Sequence, residues 1–169
     1  MTTTYKKILV PLDGSELAAQ ALPQAEEIAQ ESGAQLVLFR VLETTPTFVA
    51  AVPAAGGPGM VGGVGLGAMG IAAVDRDDEA HRRTVDEIEQ SLETLAESLK
   101  HRKVEAEAVI ELGDPATRII DYAAKHGVDL IVMSTHGRTG LAHLAYGSVA
   151  DKVRLGASCE VRVVRPSFK

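Results

Sequence analysis

Apolar and polar positions along the chain alternate between two periods. Short apolar runs, the signature of buried strands, occur at Ile8–Leu12, from Leu36 to about Leu42, at Leu130–Met133 and at Val161–Val164. A further strand, Val104–Ile110, alternates instead, with Val104, Ala106 and Ala108 set against Glu105 and Glu107. Helical spacing fills the intervals. Ala18, Ala21, Leu22, Ala25, Ile28 and Ala29 mark one helical face, which Pro23 should kink and Gly33 should stop. From Asp75 to His101, Val85, Ile88, Leu92, Leu95 and Leu99 recur at steps of three and four, leaving the many Glu and Arg residues on a solvated face. Asp114 and Pro115 open a third helix as N-cap and first helical residue, with Ala116, Ile119, Ile120 and Ala123 inward and Gly127 at its end. A last helix runs from about Ser148 to Leu155.

Strand and helix therefore alternate through the chain. This predicts an α/β fold, a three-layer sandwich with a five-stranded parallel sheet and helices on both faces. Strands one, two and four are continuously apolar, as strands covered on both faces must be. Strand three alternates and strand five carries Arg162, so these two read as edges. Right-handed crossovers then give the order 3-2-1-4-5. The connection reverses between strands one and four, where open α/β sheets bind ligands. The two loops meeting there are Pro11–Ser15 and Ser134–Gly140.

Composition narrows the picture. The 169 residues read as a single domain, with 46% hydrophobic and 24% charged residues, ordinary values for a globular chain. A net charge of −6 argues against a protein that coats nucleic acid. The single cysteine, Cys159, can build neither a disulfide framework nor a cysteine zinc site within one chain. Only five apolar residues precede Asp13, too few for a signal-peptide core, so a cytoplasmic location is expected. Eight of the 16 glycines lie in one uncharged run, Thr44–Val74, together with Pro46, Pro53 and Pro58. So many breakers exclude a membrane helix. The run reads as a flexible insertion at about 44–74, a candidate flap beside the crevice. Within it, Gly65–Gly70 matches the dinucleotide fingerprint by chance, since no strand leads directly into it. The histidines at 81, 101, 126, 136 and 143 have no metal-site spacing.

The crevice loops carry the candidate chemistry. Gly137 and Gly140 permit amide N–H groups to converge on an anion, or are plain turn residues. Gly147 and Ser148 begin the last helix, and Ser148 with Asp151 has the form of a capping box. A helix N-terminus of this kind suits a phosphate. Asp13 either accepts hydrogen bonds from a ribose or caps the first helix. Three pieces converging on one crevice favour binding.

The segments Asp129–Val153, Lys7–Ser15 and Gly113–Pro115 closely resemble the universal stress protein family, in its UspA-like, ATP-binding form. The resemblance covers the chain apart from the glycine-rich run. ATP-binding members carry Gly, two residues, Gly, nine residues, then Gly-Ser or Gly-Thr. Gly137, Gly147 and Ser148 fit, while Ser134 stands at the first glycine position. The resemblance implies a Rossmann-like fold of the adenine nucleotide alpha hydrolase-like type. It implies that ATP, AMP or cyclic AMP, with magnesium carried on the phosphates, binds between strands one and four. Asp13 would contact the ribose, Pro11 and Leu12 would line the pocket, and the Val41 backbone would read the adenine edge beside Met133. Ser134, Gly137, Arg138, Gly147, Ser148, Val149 and Ala150 would surround the phosphates. A homodimer through strand five is also implied, although Glu160 and Arg162 break the hydrophobic strand usual there. The function implied is a nucleotide-dependent regulatory or protective role in stress. The alternatives are a slow ATP hydrolase or phosphotransferase, for which no catalytic residue is evident, and a nucleotide-independent dimer that acts through protein contacts.

Overall fold

Lys7–Pro11 forms the first strand, β1, whose three central residues are fully buried. The computed structural model describes residues 4–43, 67–134 and 148–165. Four more strands follow: β2 (Gln35–Leu42), β3 (Ala106–Leu112), β4 (Leu130–Ser134) and β5 (Glu160–Val164). All adjacent pairs are parallel and the order is β3-β2-β1-β4-β5, as the apolar pattern predicts. The helices are α1 (Glu16–Ala19), α2 (Leu22–Ser32), α3 (Gly67–His101), α4 (Pro115–Lys125) and α5 (Ser148–Gly156).

The two faces of the sheet are covered by different helices. Leu9, Val37, Phe39, Ile131 and Met133 pack with Ala116, Ile119, Tyr122 and Ala123 of α4 and with Ala150 and Val153 of α5. The opposite parity, Ile8, Val10, Leu36, Leu38, Leu130 and Val132, is equally buried, and the Ser134 hydroxyl on that side bonds to α1. Among the described residues, no helix is long and apolar enough to cross a membrane.

Several boundaries differ from the periodicity, each for a local reason. The first helical face is two helices. A proline at the second position of α2 has no N–H, and its ring excludes the carbonyl four residues back, so Pro23 forces α1 to end at Ala19. Bonds across three residues, from Gln20 N–H to the Leu17 carbonyl and from Ala21 N–H to the Ala18 carbonyl, close that turn. Gly33, at φ +70°, ends α2 in the left-handed conformation. The third strand starts two residues later than Val104, because α3 ends in a C-terminal turn. There Lys103 has φ +65° and Val104 N–H bonds back to the Leu99 carbonyl. The long helix begins at Gly67 rather than Asp75, and the rest of the glycine-rich run, 44–66, lies outside the described residues. Asp114 caps α4 as predicted, accepting from the Thr117 N–H at 3.0 Å and its hydroxyl at 2.8 Å. Tyr122 joins the buried stripe of α4, and Ile120 packs at its margin.

The chain divides into two compact units, one comprising Met1–Thr44 with Glu89–Lys169 and the other Thr45–Ile88. The sheet and every described candidate site residue belong to the first. Within the second, the described residues are the start of α3.

Candidate functional site

Where hydrogen bonding between neighbouring strands stops, an open α/β sheet can admit a ligand. β1 pairs with β4 only at Ile8–Leu130 and Leu9–Ile131. Beyond that rung β1 stays with β2, and Leu12 N–H donates to the Phe39 carbonyl at 2.8 Å. The carboxyl ends of β1 and β4 therefore part at the reversal of strand order, the position at which such sheets bind ligands.

Val41 lies at the β2 side of this opening. Alternate residues of a strand direct their backbone groups to opposite neighbours. Gln35 N–H bonds to Lys6 and the Phe39 carbonyl to Leu12, both on the β1 side, whereas Leu36 N–H and the Leu42 carbonyl bond to the β3 side. By this parity the N–H and carbonyl of Val41 face the β1 side, one rung past the last bond that β1 makes. Its side chain packs at the edge of the same apolar cluster as Met133, Val149 and Ala150. The structure thus unites four of the residues singled out in the sequence.

The turn after β1 presents Asp13 to solvent. Its Oδ1 accepts from the Ser15 N–H at 2.9 Å and from the Ser15 hydroxyl at 2.5 Å. Ser15 itself caps α1, its Oγ accepting from Ala18 N–H at 3.0 Å. The cap is therefore Ser15, and Asp13 orients it from outside the helix. Pro11 ends β1 half-buried, and Leu12 is buried beside it.

Ser134 is part of the fold on one side of this site. Its hydroxyl donates to the Leu17 carbonyl at 2.5 Å, fastening the end of β4 to α1. The hydroxyl that replaces a glycine hydrogen is thereby occupied on the α1 side. Ser148 is the first residue of α5, as expected, and is exposed. Gly137, Arg138 and Gly147 lie outside the described residues. Among the described residues, no group of three or more His, Cys, Asp or Glu side chains is placed to hold a metal ion.

One residue of this neighbourhood is absent from the sequence-derived set. Arg40 of β2 sends Nη1 to the Leu12 carbonyl at 3.3 Å, while its buried Nε has no hydrogen-bond acceptor among the described residues. A buried donor left unpaired costs about 1–3 kcal/mol. The signal available in the sequence was the single cation inside the apolar run Leu36–Leu42.

The model of the universal stress protein family matches residues 4–59 and 66–165. The chain belongs to the universal stress protein family. Among its relatives, the universal stress protein MJ0531 of Methanocaldococcus jannaschii is 31% identical over 165 residues, which cover 98% of this chain and 85% of that one. Universal stress protein UspA from Lactobacillus plantarum has the same fold, with a TM-score of 0.62, 26% identity, and coverage of 96% of this chain and 99% of that one. A universal stress protein solved in complex with cAMP is similar in fold, with a TM-score of 0.60, 20% identity, and coverage of 98% and 100%. The family assignment and the five-stranded Rossmann-like sheet agree with the resemblance read from the sequence.

Proposed function

We propose that this universal stress protein binds ATP, or the related AMP or cyclic AMP, where β1 and β4 part. It acts from there as a nucleotide-dependent regulatory or protective protein in the cytoplasm. The observation that carries this reading is the backbone of Val41, directed past the end of β1. One N–H and one carbonyl at fixed spacing suit the donor and acceptor edge of adenine. The exposed Asp13 carboxylate suits ribose hydroxyls, and Met133 and Val41 supply an apolar wall. The N-terminus of α5, with Ser148 exposed, suits phosphate. By the family pattern Gly137, Arg138 and Gly147 complete that end, with magnesium carried on the phosphates. The complex with cAMP supports an adenine nucleotide on this fold, and the likeness to it is one of fold.

Pairing of β5 across a two-fold axis completes the proposal. The two charges on that strand are already matched inside the chain. Arg162 Nη2 lies 2.9 Å from Glu160 Oε1 and 3.3 Å from the Tyr5 hydroxyl, which donates to Glu160 Oε2 at 2.7 Å. Neither charge is left isolated to oppose an edge-to-edge approach.

Calorimetry of the purified chain with ATP, AMP and cyclic AMP tests the nucleotide reading. Binding of at least one below millimolar concentration is the expected result, with Asp13→Ala at least tenfold weaker. No binding of any of the three at millimolar concentration would overturn it.

A further inference from the structure

We infer that Arg40 is a positioning residue of this site, holding the Leu12–Ser15 turn so that the Asp13 carboxylate meets a ligand's sugar. The inference rests on the nucleotide reading for its ligand and on geometry alone for the hold. Arg40 follows the almost wholly buried Leu36–Phe39 and is itself half-buried, but its Nε is out of reach of solvent, where a donor is costly unless it has a partner. One bond ties Arg40 to the turn, and its guanidinium lies close over Gly14. Nη1 donates to the Leu12 carbonyl at 3.3 Å, one residue before Asp13. One residue after Asp13, a Cβ added to Gly14 would stand 2.7 Å from Nη1 and 3.3 Å from Nη2. Gly14 also has φ +83°, a conformation that side chains resist. The absent side chain thus admits the guanidinium and permits the turn.

Asp13 is bracketed by these contacts, and its Oδ1 is further held by Ser15. A carboxylate fixed in this way needs less ordering when a ligand arrives, which raises affinity without adding a contact. A planar guanidinium that bonds one carbonyl and packs against a bare Cα is poorly replaced by lysine. Arg40 therefore acts through Asp13, at one residue's remove from any ligand.

The test uses the full chain with Arg40→Met, Arg40→Lys and Gly14→Ala. In ligand-free protein, amide hydrogen exchange at Gly14 and Ser15 should quicken at least fivefold in Arg40→Met. The amides of Leu9 and Ile131 should be unchanged. ATP affinity should fall about tenfold, the worth of roughly one hydrogen bond. The affinities for 2′-deoxy-ATP and 3′-deoxy-ATP should fall less, so that discrimination between sugars collapses, and Arg40→Lys should restore only part of it. Should Arg40→Met fail to fold, Gly14→Ala is read in the same two ways, because its Cβ displaces the guanidinium. Equal losses for ATP and both deoxy forms, or unchanged exchange at Gly14 and Ser15, would overturn the inference. If the unaltered protein binds no ATP, the nucleotide reading and the ligand role of Asp13 fall, while the exchange result still decides whether Arg40 holds the turn.

Discussion

The same two strands, β1 and β4, are sewn together at one end of the sheet and separated at the other. At the amino end, Asp129 Oδ2 accepts from the N–H groups of Lys6 and Lys7 at 2.8 and 3.0 Å, and Asp129 N–H donates to the Lys7 carbonyl at 3.0 Å. Tyr5 extends the seam to β5 through Glu160 and Arg162. At the carboxyl end the last rung is Leu9–Ile131. There β1 turns towards Phe39, and Ser134 turns towards Leu17. Polar side chains close one end, and at the other each strand is fastened to a different neighbour. The difference gives the first end to stability and leaves the second open for the proposed ligand.

Substitutions can break this contrast in order of size. Ile131→Ala removes a fully buried side chain from the last rung, and should cost about 2–5 kcal/mol in denaturant unfolding. Asp129→Ala cuts charge-assisted bonds to two backbone amides, and should cost about 1–3 kcal/mol. Its nucleotide affinity should stay within about twofold of the unaltered protein. Ser134→Ala should cost about 1 kcal/mol, the net worth of one neutral hydrogen bond, again with little change in nucleotide affinity. A large, selective loss of affinity in Ser134→Ala would place its hydroxyl in the binding site instead.

The smallest effect concerns acid. Hydrogen bonds from the Tyr5 hydroxyl and then from Arg162 hold the Glu160 carboxyl below its ordinary range. Its folded pKa is thus lower than its unfolded one, so its contribution to stability is complete above the unfolded value and is lost as pH falls through the folded value. Glu160→Gln should flatten the acid limb of a stability-against-pH profile and leave the neutral region nearly level. An unchanged acid limb would contradict the seam at Tyr5.

Much of this arrangement was legible before the fold was seen. Strands buried on both faces must be continuously apolar, and strands covered on one face alternate. That contrast put Val104–Ile110 at one edge and Arg162 put Val161–Val164 at the other; right-handed crossovers then fixed the switch point and hence the loops that carry Asp13 and Ser134. Local chemistry was legible at Asp114, whose cap needs only residues three apart. Less visible were events that depend on partners distant in sequence. Pro23 announced a kink, but whether the chain bends or breaks depends on whether the preceding turn finds other bonds. Lys103 carries no mark of its left-handed conformation, so the start of β3 was misplaced by two residues. Arg40 carries no mark of its role in the sequence beyond its charge, because its partners, Leu12 and Gly14, lie on another element.

The central claim is that a nucleotide enters where β1 and β4 part and leaves their sewn end alone. Backbone amide NMR during an ATP titration measures this directly. The account predicts saturable shifts concentrated at Val41, Asp13, Gly14, Ser148 and Val149, with Lys6, Lys7, Asp129 and Glu160 still. Saturable shifts centred on Lys6, Asp129 and Glu160, or none anywhere at millimolar ATP, would contradict it.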